Sequence, residues 1–312
     1  MKLSIVTPSY NQGKFLGDTI RSVLDSTRPP DEYFVIDGGS NDGSVDTIRE
    51  YEGFITTWVS EPDQGQADAI NKGFRLCNGD IIGWLNSDDM VLPGTFDRIL
   101  KVFEHNPNAA IVYGDVFSID EIGETINLQR FKQLRLPDLM AFNIISQPGV
   151  FFRRGALQAA GLLDESYHYL LDHHLWLRLA QQGEMVYIPE PFAAARYHPA
   201  AKNVAHTRHF GQEAFRMMAW MRDDPRLGSL FAKHKRKIES GAYRLDGYYQ
   251  MEGGQFWQGL ACYGRAIIIR PVVLALEWKH LLYAVLGIAG LQRAKELYKQ
   301  ARKKKYGQPT QQ

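Results

Sequence analysis

The chain has 312 residues, a formal net charge of +1 and 45% hydrophobic residues, an ordinary composition for a folded protein with an ample core. This length is long for one domain and comfortable for two, and the near-neutral charge gives no support for bulk binding of nucleic acid. The only two cysteines, Cys77 and Cys262, exclude a disulfide scaffold and fit a reducing compartment.

The N-terminus has the pattern of a strand and lacks that of a signal peptide. Pro8 interrupts the apolar run of residues 3–7 far too early for a secretory signal. No stretch of the chain approaches the roughly 20 uninterrupted apolar residues of a spanning helix. We therefore expect the protein in the cytoplasm.

Strands and helices alternate over the first third of the chain. Continuous apolar runs at 3–7, 33–36, 55–59 and 80–85 are typical of buried strands, and helical periodicity lies between them. Strands of this kind indicate a parallel sheet covered on both faces. The predicted fold class is therefore α/β.

Three of these strands end in polar loops, at residues 8–13, 37–44 and 86–89. The carboxyl ends of parallel strands share one sheet edge, where ligands bind in open α/β folds. Asp88 and Asp89 are suited to a hard divalent cation that shares a diphosphate as co-ligand, although two such residues can also simply cap the next helix. Together, the three loops predict a nucleotide site with a metal.

The motifs Ile5-Val6-Thr7-Pro8-Ser9-Tyr10-Asn11, Ile36-Asp37-Gly38-Gly39-Ser40-Asn41-Asp42-Gly43-Ser44 and Asn86-Ser87-Asp88-Asp89 carry a resemblance. They resemble the nucleotide-binding half of family 2 glycosyltransferases of the GT-A fold. The resemblance covers roughly the first 200 residues, about one domain's length. It implies a Rossmann-like, mostly parallel sheet in a catalytic domain at 1–205, followed by an α-helical region at 206–312.

The resemblance also implies roles for particular residues. Asp37 is expected to face the base, Asp88 to contact the nucleotide, and Asp89 to bind Mg²⁺ or Mn²⁺. The nucleoside pocket is expected to be lined by Thr7, Pro8, Tyr10 and Asp37.

Two positions depart from the family pattern. Asn86 stands where the family often has an acidic residue, and Ile70 stands where it often has an arginine before Asn71. The missing arginine leaves the nucleobase open, with a UDP-sugar as the expected donor. The candidates to replace its contacts are Gln66, Asn71 and Lys72.

The middle of the chain supplies candidates for the acceptor side. Gln147 is expected to face the acceptor, although a loop glutamine before proline can also simply be solvated. By the family resemblance, Asp172 at a helix N-terminus is the general base, while considered alone it can be an N-cap. His173 and His174 point about 100° apart on a helix, so they do not share one ion easily, and we predict that they are surface or acceptor-facing.

His198 and Lys202 follow the last predicted strand. A neutral imidazole there can be a metal ligand, with Lys202 as a point charge on phosphate, and a satisfied structural histidine is the equal alternative.

Long helices follow residue 206. Gly247, Tyr263, Ala266 and Pro271 have the spacing of one tetratricopeptide-type helical hairpin, too few for a repeat array. Residues 292–306 then carry seven Lys or Arg and one Glu. This basic tail predicts peripheral contact with an anionic membrane on the inner face of the cell membrane, or a solvated terminus.

The resemblance thus predicts an inverting glycosyltransferase that moves a sugar from a nucleoside-diphosphate sugar to a hydroxyl of a saccharide or lipid-linked saccharide, in polysaccharide or glycolipid assembly. A non-catalytic nucleotide-binding scaffold is the first alternative, and it would tolerate loss of Asp172 and Asp89. A sugar nucleotidyltransferase is the second, but residues 7–13 lack the basic, Gly-rich phosphate loop that it usually needs.

Overall fold

A computed structural model describes residues 1–199, 201–202 and 206–290. The chain forms two compact units, one of residues 1–134 and 145–196, the other of residues 135–144 and those from Tyr197 onward. The basic tail at 292–306 and part of the predicted domain boundary at 205/206 lie outside the described residues.

The described helices and strands follow in chain order. They are β1 (Leu3–Ser9), α1 (Gly13–Leu24), β2 (Glu32–Asp37), α2 (Ser44–Glu50), β3 (Thr57–Ser60), α3 (Gln66–Leu76), β4 (Ile81–Trp84), β5 (Met90–Val91), α4 (Thr95–His105), β6 (Ala109–Ile119), β7 (Thr125–Gln129), α5 (Leu136–Met140), β8 (Val150–Arg153), α6 (Arg154–Ala160), α7 (Leu171–Leu179), β9 (Glu184–Arg196), α8 (Thr207–Asp223), α9 (Gly228–Glu252), α10 (Phe256–Ile269) and α11 (Val272–Ile288).

All the described strands belong to one sheet in the first unit, in the order β3-β2-β1-β4-β8-β6-β9-β5, with β7 paired to β6. The β3-β2-β1-β4 half is parallel, with Ser9 opposite Asp37 and Val6 opposite Trp84. This register brings the carboxyl ends of β1, β2 and β4 to the same edge. The predicted α/β class and the parallel half are confirmed.

The other half of the sheet is mixed. β8 runs antiparallel to β4 and β6, whereas β6 and β9 form a long parallel pair. The apolar runs at 109–113, 184–188 and 192–197 predict strands that end before Gly114 and between residues 188 and 192, and both predicted breaks are wrong. The strands continue because a register shift, at which Asp115 comes opposite Pro191, takes up the extra residues.

The core of the first unit explains the uninterrupted apolar strands. Ile5, Val35 and Ile81 lie in one buried cluster with Leu16 and Ile20 of α1. Because helices cover the sheet, these strands need apolar residues on both faces rather than alternation.

The second unit is helical, as predicted. At Gly247 of α9 an added Cβ would lie 2.7 Å from the ring of Tyr263 in α10, so only glycine permits this close helix approach. Tyr263 and Ala266 are fully buried in the same cluster as Val273 and Ala284 of α11. None of the helices in the described ranges combines the length and apolar character needed to cross a membrane.

Candidate active site

The loops after β1 and β2 are bonded to each other at the sheet edge. The backbone amide of Asn11 donates a hydrogen bond to Ser40 Oγ at 2.8 Å, and the backbone amide of Asn41 donates one to Asn11 Oδ1 at 3.1 Å. The Gly13 amide donates to Asp42 Oδ2 at 2.8 Å. Asn11 adopts a positive φ of 51°, which asparagine tolerates better than most residues. The two loops therefore form one surface.

Tyr10, Gly38 and Asp63 meet on this surface. Tyr10 is 61% exposed, and a Cβ at Gly38 would lie 3.2 Å from its ring and in contact with the Asp63 carboxylate. Glycine at position 38 thus allows the Asp63 carboxylate and the Tyr10 ring to approach the backbone closely. We did not predict Asp63 as a site residue, although residues 61–65 follow the third strand at the same edge.

Asp37 is fully buried, and its carboxylate organises its own loop. Oδ2 accepts hydrogen bonds from the Gly39 amide at 3.1 Å, the Ser40 amide at 2.9 Å and Ser60 Oγ at 2.7 Å. Oδ1 accepts a hydrogen bond from Ser40 Oγ at 2.6 Å. Four bonds use the usual capacity of a carboxylate, so a nucleobase must share or replace one of them.

Thr7 and Pro8 are buried in β1. The Thr7 hydroxyl shares a 3.1 Å hydrogen bond with the hydroxyl of Tyr33, which is itself 2% exposed. We predicted that the Thr7 side chain lines the nucleoside pocket. In the structure it is buried in the core of the sheet instead.

Asp88 and Asp89 follow β4 and differ in exposure. Asp88 is partly buried, while Asp89 is 5% exposed and accepts a 3.0 Å hydrogen bond from the Arg196 backbone amide on Oδ1. The Arg196 guanidinium, 4.9 Å from the Phe15 ring, also donates through Nε to the Asp88 carbonyl at 3.0 Å. The end of β9 thus fixes the turn that carries both acids.

Burial raises the pKa of Asp89 well above its ordinary value, and the neighbouring charge of Asp88 raises it further. A divalent cation would relieve both effects, because it favours the ionised form of oxygen ligands. The two carboxylates fit Mg²⁺ or Mn²⁺ of the kind that takes one or two acids and completes its shell with phosphate and water. The described residues contain no cluster of three or more His, Cys, Asp or Glu suited to hold a metal, so any further ligands must come from elsewhere.

A chain of side-chain amides supports this turn. Gln66 Nε2 donates to Asn86 Oδ1 at 3.0 Å, and Asn86 Nδ2 donates to Gln147 Oε1 at 3.1 Å and weakly to Asp89 Oδ2 at 3.4 Å. Gln147 is buried and donates in turn to the Trp84 carbonyl at 2.7 Å. Asn86, which stands where the family often has an acid, thus both donates and accepts hydrogen bonds. Gln147, predicted to face the acceptor, instead binds the end of β4.

Asn71 and Lys72 have other partners. Asn71 is 1% exposed. Its Nδ2 donates hydrogen bonds to the Leu163 carbonyl and the Glu165 carboxylate, and its Oδ1 accepts one from the Leu163 backbone amide. These bonds occupy both amide hydrogens, so the structure ties Asn71 to the loop at 163–165 rather than leaving it for a nucleotide. Lys72 Nζ lies 2.9 Å from Glu61, and this hydrogen bond raises its pKa.

Asp172 lies in the first turn of α7, partly buried, and its Oδ1 accepts a 2.7 Å hydrogen bond from the His173 amide. The N-cap of this helix is Leu170, so Asp172 is not the cap residue. The surface alternative for His173 and His174 is wrong, since they are 0% and 4% exposed, and the acceptor-facing alternative stays a prediction. The helix is packed on nearly all sides, and His174 stacks on Tyr167 with centroids 4.4 Å apart.

Two tryptophans connect α7 to the strand that leads to the acids. Trp84 of β4 and Trp176 of α7 stack with ring centroids 5.2 Å apart and planes 21° apart. Phe152 of β8 packs against Trp176 as well, at 5.7 Å. This buried aromatic cluster fixes the helix that carries Asp172 against β4.

His198 and Lys202 belong to the second unit, His198 buried and Lys202 exposed. Their roles at a metal and a phosphate stay predictions.

Comparisons with known proteins show that this chain is similar to glycosyltransferases. A model of the family "Glycosyl transferase family 2" matches residues 4–161. An uncharacterized glycosyltransferase of Nostoc sp. is 29% identical over 152 residues, which are 48% of this chain and 47% of that protein. Chondroitin synthase of Escherichia coli is 26% identical over 188 residues, or 60% of this chain and 27% of the synthase. The chain thus spans about half the length of these relatives, or less.

Two solved structures are similar to nearly the whole chain. S. aureus TarS 1-349 in complex with UDP-GlcNAc has a TM-score of 0.64 at 15% identity, covering 96% of this chain and 92% of that TarS 1-349 chain. The mannosyltransferase PcManGT from Pyrobaculum calidifontis, in complex with GDP-Man and Mn²⁺, has a TM-score of 0.60 at 15% identity, covering 92% of this chain and 86% of that enzyme. This likeness establishes the fold and confirms the predicted GT-A architecture.

Proposed function

The chain belongs to glycosyl transferase family 2, whose model matches just over half of it, and we propose that it transfers a sugar from a nucleoside-diphosphate sugar to an acceptor hydroxyl with inversion. The observation that carries this proposal is the joined surface at the carboxyl edge, where Tyr10, Asp63 and the turn of Asp88 and Asp89 follow neighbouring strands. The acceptor is a saccharide or lipid-linked saccharide in polysaccharide or glycolipid assembly, in line with a relative such as chondroitin synthase.

The donor of the proposal is a UDP-sugar. The TarS structure contains UDP-GlcNAc, and PcManGT contains GDP-Man, so the fold alone accommodates either base. Tyr10 offers an exposed ring on which a base can stack. Asp37 supports the site indirectly, because its carboxylate accepts hydrogen bonds from the loop that carries Gly38 and Gly39. Gln66 and Lys72 remain candidates for polar contacts to the donor.

A divalent cation, Mg²⁺ or Mn²⁺, belongs to the proposal. Asp89 would hold it and Asp88 would support it, with diphosphate oxygens completing the shell. The ion supplies charge stabilisation for the leaving diphosphate. The support for it is the pair of adjacent acids in a buried turn, together with the Mn²⁺ in the related PcManGT structure.

Asp172 is the proposed general base. Its carboxylate takes the proton of the acceptor hydroxyl while the hydroxyl oxygen attacks C1 of the donor sugar. The bond from C1 to the diphosphate breaks, and its electron pair leaves with the nucleoside diphosphate. A single displacement from the opposite face inverts the configuration at C1. The Trp84–Trp176 stack and the His173 amide would hold the carboxylate in place.

The proposed compartment is the cytoplasm, at the inner face of the cell membrane. Cys77 and Cys262 are both free thiols, which fits a reducing compartment. A peripheral contact with anionic lipid also belongs to the proposal.

The test is a thermal-shift panel of nucleoside diphosphates and their sugars, each with and without Mn²⁺. A ligand that binds only the folded state raises the unfolding temperature by mass action. We expect cation-dependent stabilisation by one uridine nucleotide, lost in Asp89→Ala and kept in the exposed control Asp46→Ala. Absence of a shift with every nucleotide would favour a scaffold protein.

A further inference from the structure

The outward side of helix α11 is apolar. Leu274, Trp278, Leu282 and Val285 are 53%, 54%, 49% and 53% exposed. Their spacing of four, four and three residues places them on one side of the helix. We refer to these four residues as the α11 face.

A different side of α11 is already packed. Val273 and Ala284 are buried against α10, and Glu277, 9% exposed, bonds to Arg244 at 3.2 Å and to His280 at 2.7 Å. The helix therefore has one packed apolar side, while much of the rest of its apolar surface is exposed, including Leu276 and Val272 at 69% and 46%. A helix of this kind normally has a second covering surface.

The charged side chain that α11 exposes is positive. Glu277 is the only acid of α11, and it bonds on the buried side. Lys279 is exposed, with Nζ 5.7 Å from the ring centroid of Trp278. In the sequence, residues 292–306 carry seven Lys or Arg and one Glu, a net charge of +6. Trp257 and Ile268 of α10 are also 69% and 80% exposed.

We propose that the α11 face docks on an anionic lipid bilayer, with the helix lying in the plane of the interface, and this inference rests on the lipid contact of the proposed function. Aliphatic side chains enter the acyl boundary and Trp278 remains at the headgroup level, where tryptophan is favoured. The basic sequence that follows is attracted to the anionic surface. A second copy of the chain fits less well, because the sequence that follows α11 is basic and two copies of it would repel each other.

The experiment is co-sedimentation of the full chain with vesicles. One set contains phosphatidylglycerol and phosphatidylcholine in equal parts, and the other contains phosphatidylcholine alone. We expect binding to the anionic set, and about ten-fold or greater loss of partitioning in the triple variant Leu274→Gln, Trp278→Gln, Leu282→Gln. All three side chains are half exposed, so circular dichroism and the unfolding temperature should match the wild type.

The matched control replaces three exposed apolar residues of the first unit, Phe54→Gln, Leu76→Gln and Ile122→Gln, which are 73%, 39% and 79% exposed. This control should bind vesicles like the wild type. Equal binding by the α11 triple variant would show adsorption by the basic tail alone and would overturn the proposal. So would a wild type that ignores anionic vesicles, or one that is a dimer in solution and becomes monomeric in the triple variant. None of these outcomes depends on catalysis, so the proposed transfer reaction stands or falls separately.

Discussion

Asp89 in the first unit and Glu277 in the second are almost equally buried, at 5% and 9% exposure, yet their surroundings act on them in opposite directions. Burial raises the pKa of Asp89, and the second acid, Asp88, raises it further. Burial also opposes ionisation of Glu277, but the hydrogen bond from His280 and the charge of Arg244 outweigh it, so its pKa lies below the usual range.

The difference separates a site from a structural contact. A buried carboxylate with cationic partners is complete and holds helices together. A buried carboxylate beside another carboxylate is incomplete, and the proposed cation would supply what it lacks. Glu277 is therefore satisfied by charges of the protein itself, whereas Asp89 would be satisfied by the proposed ion.

The largest expected effect lies in the first unit. Asp172→Asn should lower sugar transfer by about 10²- to 10⁴-fold, the usual contribution of a general base, while donor affinity stays unchanged. Transfer kinetics and calorimetric titration of the donor measure the two quantities. The matched change in the second unit, Glu277→Gln, should leave the rate close to the wild type. Undiminished transfer by Asp172→Asn would remove this residue from the mechanism.

Asp89 offers the next test. Asp89→Ala leaves the Arg196 amide without its acceptor and should cost about 1–3 kcal/mol of unfolding free energy, whereas Asp89→Asn keeps an acceptor oxygen and should cost less. Both variants should lose stabilisation by Mn²⁺ with nucleotide. Denaturant unfolding with and without cation checks this, and a variant that still responds to Mn²⁺ would place the cation elsewhere.

The pH dependence should have opposite signs in the two units. A raised pKa in the folded state makes Asp89 favourable at low pH and unfavourable once pH rises above its unfolded value of about 3.9, so the stability of wild type relative to Asp89→Asn should fall as pH rises. Glu277 has a lowered pKa, so its contribution is present above its unfolded value of about 4.3 and is lost as pH falls through the folded pKa. Relative to Glu277→Gln, the wild type should therefore lose stability on acidification. Denaturant unfolding across pH, without cation, measures both slopes, and parallel slopes would contradict the comparison.

The smallest expected effect concerns the amide chain behind the acids. Gln66→Ala removes the donor to Asn86 and should cost about 0.5–1.5 kcal/mol. Gln64→Ala, at an exposed neighbouring position, is the control and should be close to neutral. Denaturant unfolding of both variants measures the difference. Equal costs would mean that the amide chain does not stabilise the turn.

Local sequence patterns predicted the parts of the fold that depend on neighbouring residues. The strands of the parallel half and the polar loops that follow them are present. The continuity of β6 and β9 was missed because a register shift in a long-range pairing leaves no local mark.

The site was less predictable because its residues are placed by distant partners. Arg196 meets Asp89 across 107 positions of sequence, and Gln147 meets Asn86 across 61. Polar residue types at His173 and Asn71 suggested exposure or a ligand, but packing around α7 and the loop at 163–165 buries both. Hydrophobic periodicity predicts which face of a helix is buried when only one face is covered. It does not predict burial of the polar residues in a helix such as α7, which is covered on nearly all sides.

The central claim is a transfer with inversion at this sheet edge, and the anomeric configuration of the first product tests it most directly. The donor selected by the thermal-shift panel is incubated with the protein and Mn²⁺, with water as acceptor, and time-resolved proton NMR follows the released sugar before it mutarotates. We expect an α-linked donor to give the β-sugar first, at a rate that Asp172→Asn abolishes. Release of the α-sugar first, or unchanged release by Asp172→Asn, would contradict the proposed mechanism.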